Sequence, residues 1–138
     1  MSTGVLVLDS YALLAFVQDE AAADAVEAIL HRSDAGELRL ALSVVNLGEV
    51  YYRTVRAFDS DRAQAVLAQI AEYKIDIVDV DRDLALAAAR IKGTYRLSYA
   101  DCIAAALAQR LGGAVVTGDP EFRRIEHLVQ IERLASGP

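Results

Sequence analysis

The chain holds one cysteine, Cys102, no tryptophan, two prolines and two histidines among its 138 residues. A lone cysteine closes no internal disulfide, so the fold has to stand on its apolar core. His31 and His127 lie far apart with only that thiol to accompany them, which argues against a zinc site of His and Cys ligands. No apolar run approaches the roughly 18 residues of a membrane span. The stretch from Met1 to Ser10 lacks the basic region that opens a secretory signal. The expected setting is therefore a reducing, cytoplasmic one, with no membrane partner. Positive charge is scarce as well: 14 Lys and Arg stand against 20 Asp and Glu, a net charge of -6. This argues against coating nucleic acid through bulk charge alone, and a polyanionic partner needs a local reversal of sign. Acid–base or metal chemistry must come from carboxylates.

What the chain has in quantity is apolar surface. Apolar residues make up 54% and charged residues 25%, which excludes a disordered, collagenous or linker protein. A chain of this length is expected as one domain over 1–138, burying roughly 70% of the surface that its unfolded form exposes. Val5 to Leu8 is an unbroken apolar run that stops at Asp9, and Tyr11 to Val17 then has a helical pattern. Ala21 to His31 is a second helix, closed by Asp34-Ala35-Gly36 before a strand over Leu38 to Leu42. Ser43 caps a helix from Val44 to Arg56, Asp59 or Ser60 starts another through Tyr73, and Ile75, Ile77 and Val80 mark a third strand. Asp81 stands where an N-cap belongs before Leu84 to Ile91, which Gly93 ends or bends. Ser98 opens a helix that stops at Gly112-Gly113. Ala114 to Thr117 is a strand before the turn Gly118-Asp119-Pro120, and a last strand is expected near Val129 to Ile131.

The order β-α-α-β-α-α-β-α-α-β-β predicts a three-layer α/β/α sandwich with a mostly parallel central sheet, and twenty-five alanines suit close helix packing. Strand carboxyl ends and helix N-termini then share one edge, where ligands bind. Four carboxylates map to it: Asp9 after the first strand, Glu49 early in the helix after the second, Asp101 in the first turn of the helix before the fourth, and Asp119 after the fourth. Their meeting requires the first and fourth strands to be neighbours. At roughly 6 Å and an effective dielectric near 20, each pair repels by about 2 to 3 kcal/mol. A hard divalent cation offsets that, and oxygen-only ligands suit Mg2+ or Mn2+ beside a phosphate substrate.

Each acid has a plainer reading. Asp9 is a competent helix cap, Glu49 a solvated helix residue, Asp101 the acidic end of a Ser-x-x-acidic cap begun by Ser98, and Asp119 ordinary turn chemistry before Pro120. The set carries more weight than its members. Thr117 lies two residues before Asp119, so its hydroxyl points to the same side of the strand. Asp76, Asp79, Asp81 and Asp83 look structural, at an edge strand and a helix start, and Cys102 looks like a small core residue. Arg53, Arg56, Arg90, Lys92, Arg96, Arg123 and Arg124 are the cations near these acids in sequence, available for phosphate contact or for plain surface solvation. Tyr51, Tyr52, Tyr95 and Tyr99 either stack on bases or fill the core.

The segments Leu8-Asp9-Ser10-Tyr11-Ala12-Leu13-Leu14, Asn46-Leu47-Gly48-Glu49-Val50, Tyr99-Ala100-Asp101-Cys102-Ile103-Ala104-Ala105-Ala106 and Val116-Thr117-Gly118-Asp119-Pro120-Glu121-Phe122 resemble the successive motifs of PIN-domain ribonucleases, and among these the VapC-type toxins. The resemblance runs from Val5 to about Ile131. It implies that Asp9, Glu49, Asp101 and Asp119 bind metal, with Thr117 as a supporting hydroxyl. The activity it implies is a Mg2+- or Mn2+-dependent endoribonuclease with RNA as substrate. The partners it implies are a second copy in a homodimer and a small antitoxin that docks on the helices and reaches toward the acidic cleft. Two positions depart from the pattern: Tyr11 stands where a hydroxyl residue such as Ser is common, and Glu121 where Asp often precedes Phe122. A phosphoaspartyl hydrolase would carry a second Asp in place of Tyr11, and a signalling receiver would carry a Lys beyond Lys92. A non-catalytic RNA- or protein-binding module is the alternative that stays open.

Overall fold

The computed structural model describes residues 4–134. Its sheet has five strands in the order β3-β2-β1-β4-β5: β1 (Gly4–Leu8), β2 (Leu38–Ser43), β3 (Asp76–Val78), β4 (Ala114–Thr117) and β5 (Gln130–Arg133). Every pairing among them is parallel, so the expected mostly parallel sheet is parallel throughout the described residues.

Period-2 alternation sends neighbouring side chains to opposite faces and so builds two cores. Leu8, Leu38, Leu40, Leu42 and Val116 face α1 (Ser10–Val17), α2 (Ala23–Asp34), α3 (Val44–Ala57) and α4 (Ser60–Ala71). Val7, Ala41 and Val115 face α5 (Arg82–Thr94) and α6 (Tyr99–Leu111). These are the three layers. Residues 102–108 of α6 are all buried, and its alanines let sheet and helices approach closely. Cys102 belongs to that core, where burial pushes its thiol up to about 11. Gly112 ends α6 with a left-handed φ of 69°, a conformation costly for other residues.

Gly93 lies in the last turn of α5, which ends one residue later at Thr94. The structure departs from the sequence expectation in two places. The third strand is shorter than Ile75, Ile77 and Val80 suggest, since Ile75 is held in a turn to the Tyr73 carbonyl. The turn at Asp119-Pro120 opens into a 3-10 helix, Pro120–Ile125, which buries Phe122 and Ile125.

α5 and α6 form an antiparallel pair, which changes what reaches the sheet edge. The Asp81 carboxylate caps α5 through the Leu84 N–H and accepts two bonds of 2.9 Å from Arg110, near the end of α6. Lys92, near the end of α5, donates to the Leu97 carbonyl just ahead of α6. α5 and α6 therefore run in opposite directions. The edge receives the N-termini of α1, α3 and α6, but from α5 it receives the C-terminal turn.

Candidate functional site

β1 and β4 are hydrogen-bonded neighbours, the adjacency that the four-carboxylate reading required. The chain builds outward from β1 to β2 and β3, then returns to place β4 and β5 on the other side, so the loops after β1 and β4 diverge and open a crevice at strand carboxyl ends. Asp9 and Asp119 sit on those two loops.

Asp9 is 1% exposed. Its Oδ1 accepts the Ala12 N–H at 2.8 Å and caps α1, so the plain reading of this residue is correct as far as that oxygen goes. Its Oδ2 is buried and has no hydrogen-bond partner among the described residues. Desolvation pushes the carboxyl up to about 7, the Thr117 hydroxyl and the Ala12 amide pull it down, and the charges of Asp101 and Asp119 push it further up.

Asp101 stands in the first turn of α6, its amide bonded to the Ser98 Oγ at 3.1 Å. Burial raises it to about 6; the Ser98 hydroxyl opposes that, and Asp119, Glu49 and Glu121 add to it. Asp119 caps the 3-10 helix by accepting the Glu121 N–H at 2.9 Å, while its own N–H donates to the Thr117 Oγ1 at 3.0 Å. Thr117 is fully buried, and its side chain fixes the Asp119 loop and lies beside Asp9. Glu49 is half-buried on α3, where the Tyr52 hydroxyl donates to its Oε2 at 3.3 Å.

Glu49, Asp101 and Asp119 line one cavity of about 210 Å³, with Tyr11, Arg53, Ser98 and Glu121. Asp9 does not line it but feels the charges of Asp101 and Asp119, and neither Asp9 nor Glu49 belongs to the tightest carboxylate group among the described residues. Carboxylate oxygens of Asp101, Asp119 and Glu121 lie within 4.8 Å of one another. At that separation each ionised pair repels by about 3 kcal/mol for an effective dielectric near 20. Glu121 is thus a member of the acidic cluster. Its signal was present in the sequence as the residue two after Asp119, the position whose amide the Asp119 carboxylate holds.

Three other contributors had weaker signals. Tyr11 packs its ring on Gly118, where any Cβ would collide with it, and so walls the cavity beside Asp119. Arg53, one turn after Glu49, brings a cation to the rim. Asn46 is fully buried: its Nδ2 donates to the Ser10 Oγ and to the Ala100 carbonyl, both at 3.2 Å, and its Oδ1 accepts from the Ser43 Oγ. One side chain thereby ties together the starts of α1, α3 and α6, the elements behind Asp9, Glu49 and Asp101.

These donors fit a hard divalent cation. They are all oxygens, they repel one another, and the buried Asp9 Oδ2, without a partner among the described residues, is an acceptor that a cation can satisfy. The fold and the site define an α/β protein with an acidic, cation-competent centre at the switch point of a parallel sheet. A PIN domain profile matches residues 6–128, and the chain belongs to the PIN domain family. No curated protein matches the sequence. Among solved structures, the chain is similar to the DNA-bound VapBC of Salmonella typhimurium (TM-score 0.74, 22% identity, 95% of this chain and 98% of that one). It is also similar to VapBC2 of Rickettsia felis bound to a promoter DNA fragment (0.74, 17%, 94% and 98%). A third is the sarcin-ricin-loop-cleaving toxin VapC20 of Mycobacterium tuberculosis (0.71, 17%, 86% and 92%). At these identities the likeness is one of fold.

Proposed function

We infer that the protein is a metal-dependent endoribonuclease that hydrolyses RNA phosphodiester bonds, and that it is the VapC-type toxin of a toxin–antitoxin pair. The observation that carries this reading is the buried, unpartnered Asp9 Oδ2 next to a cavity walled by further carboxylates. Asp9, Glu49, Asp101 and Asp119 would hold Mg2+ or Mn2+, with Glu121 as an additional acid. When bound, the cation supplies Lewis acidity at the scissile phosphate and cancels charge on a substrate that these acids would otherwise repel. The chain's own contribution is positional. Asp9 is locked by its cap bond, Thr117 sets the Asp119 loop, Ser98 orients Asp101, and Asn46 holds three helix starts in register. Hydrolysis adds water across one P–O bond, leaving a phosphate monoester on one fragment and a hydroxyl on the other.

The same reading gives the protein a small antitoxin as partner and a homodimer as its working assembly. Similar folds described as a toxin–antitoxin complex and as a member of the VapBC family of toxin–antitoxin systems support the first. The test is incubation of the purified protein, freed of any co-purifying partner, with structured and unstructured RNA in Mn2+, Mg2+ or EDTA, alongside Asp9→Asn. Cleavage is expected only with the parent protein and a cation. Cleavage in EDTA, or undiminished cleavage by the variant, overturns the reading.

A further inference from the structure

We propose that a second cavity, of about 450 Å³ and lined by Lys92, Arg96, Leu97, Ser98, Glu121 and Arg124, is a phosphate subsite for the RNA strand. It would hold a backbone phosphate next to the one that enters the acidic cleft. The proposal rests on the nuclease reading for the identity of the polymer, and on its own geometry for the rest.

Ser98 and Glu121 line both cavities, so the two share a wall and a single strand can occupy them together. The cations are placed by the fold. The antiparallel α5 brings Lys92 to the edge in its last turn, and the loop that follows carries Arg96. Lys92 Nζ donates to the Leu97 carbonyl at 3.0 Å, and Arg124 Nη1 donates to the Arg96 carbonyl at 2.6 Å, which clamps the loop between two cationic side chains. Each bond uses one donor of an ammonium that has three or a guanidinium that has five, so both retain N–H groups for an anion. Among the described residues no carboxylate pairs with Lys92 or Arg96; Arg124 has only Glu121, at 3.5 Å. In a chain of net charge -6, this is the local reversal of sign that a polyanion requires.

A polymer suits the cavity better than a free anion. Glu121 in the shared wall opposes a lone phosphate, whereas a diester tethered to a neighbour already seated in the acidic cleft arrives at high effective concentration.

The test uses Asp101→Asn as a non-cleaving background and a labelled single-stranded oligoribonucleotide titrated across a salt series. Joint replacement by Lys92→Gln and Arg96→Gln is expected to weaken binding by on the order of tenfold and to lower the salt slope by about 0.7 for each phosphate no longer neutralised. Lys92→Arg should keep the parent slope, and Arg82→Gln, at the opposite end of α5, should change nothing. In the active protein the pair should raise KM and leave kcat within about twofold. An unchanged slope, a fall in kcat alone, or loss of an acidic protein partner with RNA binding intact would overturn the proposal. If the parent cleaves no RNA in any metal, the nuclease reading fails, while the titration in the Asp101→Asn background still decides the subsite.

Discussion

Two sets of aspartates in this molecule experience opposite surroundings. Asp76 on the edge strand and Asp81 at the start of α5 each face an arginine: Arg39 at 2.6 Å and Arg110 through two bonds of 2.9 Å. The Arg110 guanidinium holds Asp81 down to about 2. Among the described residues Asp9 and Asp101 have no such cation, and they are pushed up to about 7 and about 6, by burial first and by neighbouring carboxylates after it. A fold that pairs Asp76 and Asp81 with arginines at the periphery leaves Asp9 and Asp101 without one at the sheet edge among the described residues. Uncompensated acids cost stability, and the place where a protein tolerates that cost is a candidate for chemistry. The contrast is therefore between acids that serve the fold and acids that strain it.

The largest expected effect separates the two sets by activity. Asp101→Asn should lower metal-dependent RNA cleavage by on the order of a hundredfold or more, since it removes a carboxylate from the cation cluster. Asp76→Asn and Asp81→Asn should leave kcat/KM unchanged. Single-turnover cleavage with each purified variant checks this, and equal losses at the periphery and the edge would erase the distinction.

The second separates them by the sign of the pH dependence. Asp9 ionises near 3.8 when unfolded and near 7 when folded, so the folded state binds its proton more tightly. Its contribution to stability is complete below about 3.8 and is lost as pH rises through 7, a change on the order of 4 kcal/mol. Asp101 adds a slope of the same sign, ending near 6. The metal-free protein should thus melt at a lower temperature at about pH 8 than at about pH 5, and Asp9→Asn should flatten the difference. Cation binding needs the ionised acids, so its affinity should rise across the same window. At a hundredfold excess over Kd, cation adds about 2.7 kcal/mol. Melting curves in EDTA and in Mn2+ at both pH values decide it; a metal-free Tm that climbs with pH would contradict the direction.

The layers, the capping residues and the four dispersed acids were legible because each leaves a local mark: an apolar run, Ser or Asp before a helix, a carboxylate after a strand. Less legible was whatever depends on two distant segments meeting. Nothing near Asn46 in the sequence announces Ser10 or Ala100, and nothing near Lys92 announces Arg124; the first relation comes from three helix N-termini meeting at one sheet edge, the second from the antiparallel α5 and α6. The depth of Asp9 was hidden for the same reason, since the same aspartate at an exposed strand end would be a cap and nothing more. Glu121 was marked as a departure from the expected Asp, yet the longer side chain still reaches the cluster.

A third prediction tests that hidden connectivity. Asn46→Leu keeps the bulk but removes the side-chain bonds to Ser10, Ser43 and the Ala100 carbonyl, leaving the two hydroxyls only their bonds to the backbone of residue 46. A loss of roughly 1 to 3 kcal/mol follows from unsatisfied buried polar groups. Because Asn46 lies between the elements that carry Asp9, Glu49 and Asp101, cation affinity should fall as well. Denaturant unfolding gives the first quantity, and the cation dependence of Tm gives the second. A stability loss with unchanged cation affinity would make Asn46 a core residue only.

The smallest effect sharpens the comparison most. At Asp81 the folded pKa lies near 2, below the unfolded value, so this group stabilises the fold above about 3.8 and stops doing so as pH falls through 2, opposite in sign to Asp9. The site is exposed, and solvent screening keeps the pair's worth low. Asp81→Asn retains a side-chain oxygen for the Leu84 amide but loses the charge opposite Arg110 and the Oδ2 acceptor of one of its two bonds. A slight fall in Tm at neutral pH is expected, vanishing toward pH 2, with a larger fall for Asp81→Ala, which loses the cap too. Two carboxylates of one chain would then show stability slopes of opposite sign. If the Asp81→Asn deficit instead persisted unchanged to low pH, the paired acid would owe its contribution to geometry and not to charge, and the division between the two sets would rest on the unpaired acids alone.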